Sequence, residues 1–283
     1  MSSLTLRRGA APVSGATLWL LLPLWLVVPL GAHAQNAPPP PTPVQSSRPP
    51  PNAPPNARMT EPVDFTGYWV SIVTEDWRYR MVTPDKGDFP GVPLNPAGRA
   101  LAVAWDPSKD EASGEQCKSY GAGAIMRVPT RLHITWVNDN SLRVDTDAGT
   151  QTRTFYFNGA APAAGPPTWQ GSSVATWEGL SRARGFEWGV VATGAAPRRP
   201  GYLKVMTRNL KAGYLRKNGV PYSASATVEE YFDSFKETNG DTWLVVTSVV
   251  TDPQYLAQPF LTSSHFKKLA GASGWTPTPC ETK

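Results

Sequence analysis

The chain is 283 residues long, 40% hydrophobic and 17% charged, with a formal net charge of +5. Arg7 and Arg8 supply two of those charges, and the other basic and acidic residues are mixed along the chain. That pattern excludes the concentrated basic face of a nucleic-acid binder and leaves no polybasic stripe for a membrane surface.

Residues 1–34 have the three parts of an export signal. Arg7 and Arg8 form the basic region, "TLWLLLPLWLVVPL" (17–30) the apolar region, and "AHA" (32–34) the small-x-small cleavage site before Gln35. The apolar run falls short of the roughly 20 residues that a spanning helix needs, and Pro23 and Pro29 interrupt it. No cysteine follows the cleavage site, which argues against a lipid anchor. The mature chain is expected to be exported, periplasmic or extracellular, with no transmembrane span after cleavage. Residues 35–62 are dominated by proline and hold almost no large apolar side chain, so they are expected to form an extended polyproline spacer. Residues 63–283 are long enough for one domain with its own core.

Within that domain, "TGYWVSIV" (66–73) reads as a first strand and "WRYRMV" (77–82) as a second. Asn95 before Pro96 predicts an N-capped helix over 96–105, with Ala97, Leu101 and Trp105 on one face and Pro107 ending it. Alternating polar and apolar residues then predict strands at 131–138, 141–147 and 151–157, with turn formers between them. Further strands are expected within 169–179 and 201–211. The clearest hairpin joins 226–238 to 241–252 through Asn239-Gly240, a pair suited to a type I′ turn with positive φ at both positions. A last strand covers 260–268. Nine or ten strands with one helix predict a mostly β fold, an antiparallel barrel, with a β-sandwich as the alternative.

Cys117 and Cys280 are the only cysteines. In an oxidising compartment two cysteines commonly pair, which here would tie the C-terminal tail to the loop after the helix. Two separate thiols are the alternative.

Gly67-Tyr68-Trp69 at the head of an antiparallel meander resembles the opening of the lipocalin and calycin barrels. The resemblance implies a Gly-x-Trp that closes the barrel floor, with a late-strand arginine over the indole. Here the late strand offers Lys267 and Lys268 instead. A longer resemblance covers most of the domain. "TWEG" (176–179), "VEEYF" (228–232), "VTDPQYLAQPF" (250–260) and the glycine-containing loop from Cys117 to Arg127 are similar to blocks of a large, mostly uncharacterised group of exported bacterial proteins. It implies a sheet-rich exported domain and brings no activity with it.

Candidate chemistry is sparse. Only His133 and His265 lie beyond residue 34, and they could either face a common cavity as general bases or sit as unrelated surface groups. Adjacent strand residues point to opposite faces, so one of Glu229 and Glu230 must face inward. An inward Glu230, or Glu178, could serve as an acid in an apolar cavity; the alternative is an ion pair with Arg127, Arg153 or Arg208. Nine of the eleven tryptophans follow residue 34. Most are expected in the core, while Trp136, Trp177 and Trp243, together with Arg127, are candidates to line a ligand cavity. The histidines lack metal-ligand spacing and no glycine-rich turn joins a strand to a helix, so no metal and no cofactor are expected. The expected function is binding of a hydrophobic or aromatic small molecule, with a cofactor-independent enzyme on such a molecule (isomerase, hydratase, cyclase or lyase) as the alternative. An envelope interaction module is the third reading, and the oligomeric state is open.

Overall fold

The stretch around Gly67 and Trp69 forms β1 (Gly67–Ile72) of a computed structural model, and β1 is the strand that closes the sheet. The structure describes residues 55–162, 165–179 and 201–282, all within one unit, Asn52–Lys283. The expected export signal, most of the spacer and Trp188 lie outside the described residues.

Eight more strands complete a closed barrel: β2 (Arg131–Asn138), β3 (Ser141–Thr146), β4 (Gln151–Tyr156), β5 (Ser172–Gly179), β6 (Gly201–Arg208), β9 (Thr227–Lys236), β10 (Thr242–Thr251) and β11 (Phe260–Leu269). Around the wall the order is β1-β11-β10-β9-β6-β5-β4-β3-β2, returning to β1. The barrel, rather than the sandwich, is thus the architecture. It is not wholly antiparallel: β4 and β5 run parallel, with Phe155 opposite Ser173 and Tyr156 opposite Val174. A parallel neighbour requires a crossover, and the alanine- and proline-rich connection after β4 is long enough to make one.

Strand parity fills the lumen. Trp69, Leu132, Ile134, Val144, Phe155, Val205, Phe232, Leu244, Val246 and Phe266 are all inward and buried in one cluster. Trp69 donates its indole N–H to Phe65 O at 2.8 Å. Lys268 stands opposite Trp69 in the β1–β11 register and places Nζ 5.2 Å from the indole centre. The lysine takes the place that the lipocalin resemblance gives to arginine. Its stem passes 3.4 Å from where a Cβ on Gly67 would stand, and Gly67 itself has φ +107°.

Several local expectations are corrected. Residues 77–82 form one helical turn, α1 (Trp77–Arg80), not a strand. Both edges of β1 are already taken by β2 and β11, so the barrel offers that segment no partner. The predicted helix is α2 (Pro96–Ala104), capped by Asn95, whose side chain accepts from the Gly98 N–H. It buries Gly98 and Ala102 rather than Ala97 and Leu101. A Cβ on Gly98 would lie 2.4 Å from Tyr255 O, so close packing selects the small-residue face over the apolar one. Pro107 opens a further helix, α3 (Pro107–Ala112), capped by Asp106. The hairpin turn holds positive φ at Gly240 but not at Asn239. Gly240 N–H donates to Glu237 O and Glu237 N–H to Asp241 O, the three-residue loop with a left-handed glycine rather than the two-residue type I′ turn. A short hairpin, β7 (Gly213–Arg216) with β8 (Val220–Tyr222), lies outside the barrel sheet and was not predicted.

Cys117 and Cys280 form a disulfide, so the tail is fastened to the segment after α3. At the other end of the barrel the domain begins before residue 63. Ala57 is buried, its carbonyl accepts the Trp177 indole N–H at 2.8 Å, and Glu61 accepts that of Trp136 at 3.1 Å. Arg58 N–H and Ala57 N–H bind the β2–β3 turn at Asp139 and Asn140. The last residues of the expected spacer therefore plug the barrel. Among the described residues no helix is long and apolar enough to cross a membrane.

Candidate functional site

The barrel wall separates the residues expected to cooperate as acid and base. Glu230 points into the lumen with no exposed surface, where Arg153 Nη1 and Nη2 donate to its two oxygens at 2.9 and 2.6 Å. Arg153 also reaches Thr207 Oγ1 at 3.2 Å, which is 2.8 Å from Ser173 Oγ. The carboxylate is neutralised by a bidentate partner, so it is an ion pair and not a poised acid.

His133 and His265 stand on the outer face, because their neighbours Leu132, Ile134, Ser264 and Phe266 occupy the inner one. His133 stacks on Tyr68 with ring centres 4.1 Å apart and meets Trp275 edge-on. His265 Nδ1 lies 2.9 Å from Thr74 Oγ1 and 3.3 Å from Glu75 Oε2. Glu178 is also outward, hydrogen-bonded by Thr176 Oγ1 on its own strand, β5, which has neither β2 nor β11 as a neighbour. The expected carboxylate–histidine pairs therefore do not form.

The tryptophans divide in the same way. Trp136 and Trp177 are inward and pack with Phe157 and Phe65 under the N-terminal plug. Trp243 is outward, since Leu244 and Val246 hold the inner face. These three rings do not share a cavity. Of the expected ligand contacts, Arg127 lines an open cleft.

That cleft, of about 500 Å³, lies at the barrel end opposite the plug. Val128 and Pro129, which lead into β2, and Ala148, in the β3–β4 connection, form part of its wall. Leu215 and the rings of Tyr79 and Tyr120 contribute apolar surface. Met81 and Val82 stand at its rim, 58% and 66% exposed. The C-terminal tail adds Thr278 and Glu281, placed there by the neighbouring disulfide.

Three buried guanidinium groups also line the cleft: Arg80, Arg127 and Arg216. Arg80 donates through Nε to Arg127 O at 2.8 Å, through Nη2 to Ser71 Oγ at 3.3 Å, and pairs with Glu75. Arg127 Nη2 is 3.0 Å from Asp76 Oδ2, and its guanidinium lies over the Phe260 ring. Arg216 rests 4.5 Å from the centre of the Tyr79 ring. Its Nε and Nη1 are buried and find no acceptor among the described residues. Burial lowers the pKa of Arg80 and of Arg216, and the nearby charge of Arg127 lowers both further. Both remain cations at neutral pH, and the lowering reflects first the loss of water around each guanidinium and then the repulsion from Arg127.

Arg80 and Arg216 were missed in the sequence. "WRYRMV" was read as a strand, and "YLRKNG" lies in a hairpin too short to show a period. The only signal is a tyrosine within two residues of an arginine in both segments. No protein-family model, no curated protein and no solved structure matches this chain.

Proposed function

We propose that this is an exported protein that binds a small organic molecule with an apolar or aromatic body, and that it does so in the cleft at the barrel mouth rather than in the lumen. The observation that carries the reading is the pairing of an open cleft of about 500 Å³ with exposed Met81 and Val82 at its rim. Small-molecule sites commonly fall between roughly 300 and 1,000 Å³ and are mostly apolar. Large side chains left in water beside a concavity gain by covering a ligand. Export is supported by the disulfide, a bond that persists in oxidising compartments. The enzyme alternative rests on a carboxylate–histidine pair; the barrel wall keeps Glu230 from both histidines, and the strand order keeps Glu178 from them.

The test is native mass spectrometry of the protein purified without detergent, compared with its Thr83→Trp variant. Thr83 is a half-buried lining residue, so the indole would fill the cleft at little cost to the core. A co-purifying small molecule that is lost on denaturation and absent from the variant supports the reading. The same molecule retained by the variant would move the site elsewhere.

A further inference from the structure

Arg216 is the least compensated charge in the cleft. Arg80 is matched by Glu75 and Arg127 by Asp76, whereas Arg216 has no carboxylate within ion-pair distance among the described residues. Asp76 and Asp88, which favour its charge from nearby, are taken by Arg127 at 3.0 Å and by Arg78 at 2.9 Å. The tyrosine ring below Arg216 offers only a weak partner for a guanidinium. A buried cation with unmet N–H donors is costly unless something supplies the missing acceptor. Lys217 and Glu281 add one charge of each sign to the described lining.

We infer that the ligand of this cleft is an amphiphilic oxyanion, whose carboxylate, phosphate or sulfonate group is received by Arg216 with Arg127 and Arg80 beside it. The inference rests on the cleft being the binding site, and adds the chemical class of what binds there. The apolar body then lies toward Leu215, Tyr120 and the rim formed by Met81 and Val82. A planar guanidinium suits such a group because it donates in parallel to two oxygens. The arrangement of a charged floor and an apolar rim sets the ligand's direction, head inward and body outward.

Two fluorescent probes with one aromatic body separate the charge from the apolar contact: 8-anilinonaphthalene-1-sulfonate and its uncharged parent, N-phenyl-1-naphthylamine. Titrated into the full chain, the sulfonate is expected to bind about tenfold or more tightly than the parent, the scale of one charge-assisted contact. Arg216→Gln should abolish that advantage and leave the neutral probe unchanged. Octanoate or octyl phosphate should displace the sulfonate where octanol does not, and the more effective of the two identifies the head group. Equal affinity for both probes, or a preference that survives Arg216→Gln, overturns the inference while leaving the cleft reading intact. Binding of both probes that Thr83→Trp fails to weaken sinks the cleft reading itself. Should Arg216→Gln not fold, the displacement series on the unaltered protein decides alone: octanol competing as well as octanoate and octyl phosphate overturns the inference.

Discussion

Lys268 Nζ and the Trp69 indole face each other across the β1–β11 pair, 5.2 Å from nitrogen to ring centre, at the strand that closes the barrel. The contact joins two segments nearly the whole domain apart in sequence. Lys268→Met, which keeps the stem and removes the charge, is expected to cost about 0.5–1 kcal/mol, the range for a cation over an aromatic face. Trp69→Ala should cost about 3–5 kcal/mol, because it empties a fully buried site and orphans the Phe65 carbonyl. Urea unfolding of both variants checks the ranking.

Glu230 and Arg153 should show the asymmetry of a buried ion pair. Glu230→Ala leaves a guanidinium uncompensated in the lumen and is expected to destabilise by about 3–5 kcal/mol. Replacing both partners, Arg153→Met with Glu230→Leu, should recover most of that loss. A double-mutant cycle by chemical denaturation measures it, and additive losses would contradict the assignment.

Tyr222, fully buried, and Tyr214, half-buried, make opposite predictions. Tyr222 OH has no hydrogen-bond partner among the described residues, whereas Tyr214 OH donates to Asp110 Oδ2 at 2.8 Å. Tyr222→Phe should leave stability unchanged or raise it, and Tyr214→Phe should lower it by about 1–3 kcal/mol, since it removes a bond to a charged group.

Burial raises the pKa of both phenols above the ordinary value of 10.0, and for Tyr214 the hydrogen bond to Asp110 raises it further. A phenol kept neutral by the fold contributes stability that is fully present below pH 10 and is lost as pH rises through the folded-state value. Absorbance titration should therefore show Tyr214 and Tyr222 ionising above the ordinary value of 10.0. Each step should vanish in the corresponding phenylalanine variant.

The Cys117–Cys280 bridge closes a loop with a sequence separation of 163. Its removal by Cys117→Ser with Cys280→Ser is expected to cost about 5 kcal/mol on the chain-entropy account. It should also weaken cleft binding, because Thr278 and Glu281 flank or adjoin Cys280 in the wall. Thermal unfolding and the probe titration report the two effects separately.

The barrel was legible where side-chain alternation spans six or more residues, as in β2, β3, β9 and β10, because one wetted and one buried face write a period of two into the sequence. Residues 77–82 carry the composition of a strand, and only the occupancy of both β1 edges decides against it. Trp105 is buried as its place on the predicted face expects, but the rest of the face differs because the contact with the Tyr255 backbone selects for size, while Leu101 reports only hydrophobicity. The cleft was the least legible feature. Its arginines come from a helical turn, a short hairpin and a 3-10 turn, and no local period links residues brought together by tertiary packing. Arg127 was singled out for its place in a loop and Glu230 for its parity, but parity fixes a side, not a partner.

Because β1 holds β11 on one edge and β2 on the other, the wall stays unfinished until the final strand has been synthesised. Until then β1 and β10 present bare backbone donors and acceptors, the template on which a second unfinished chain would add. Pairings of such long range fold slowly. The interval before β11 docks beside β1 is therefore when this protein is most exposed to aggregation. A chain shortened by its last strand would remain in that state permanently.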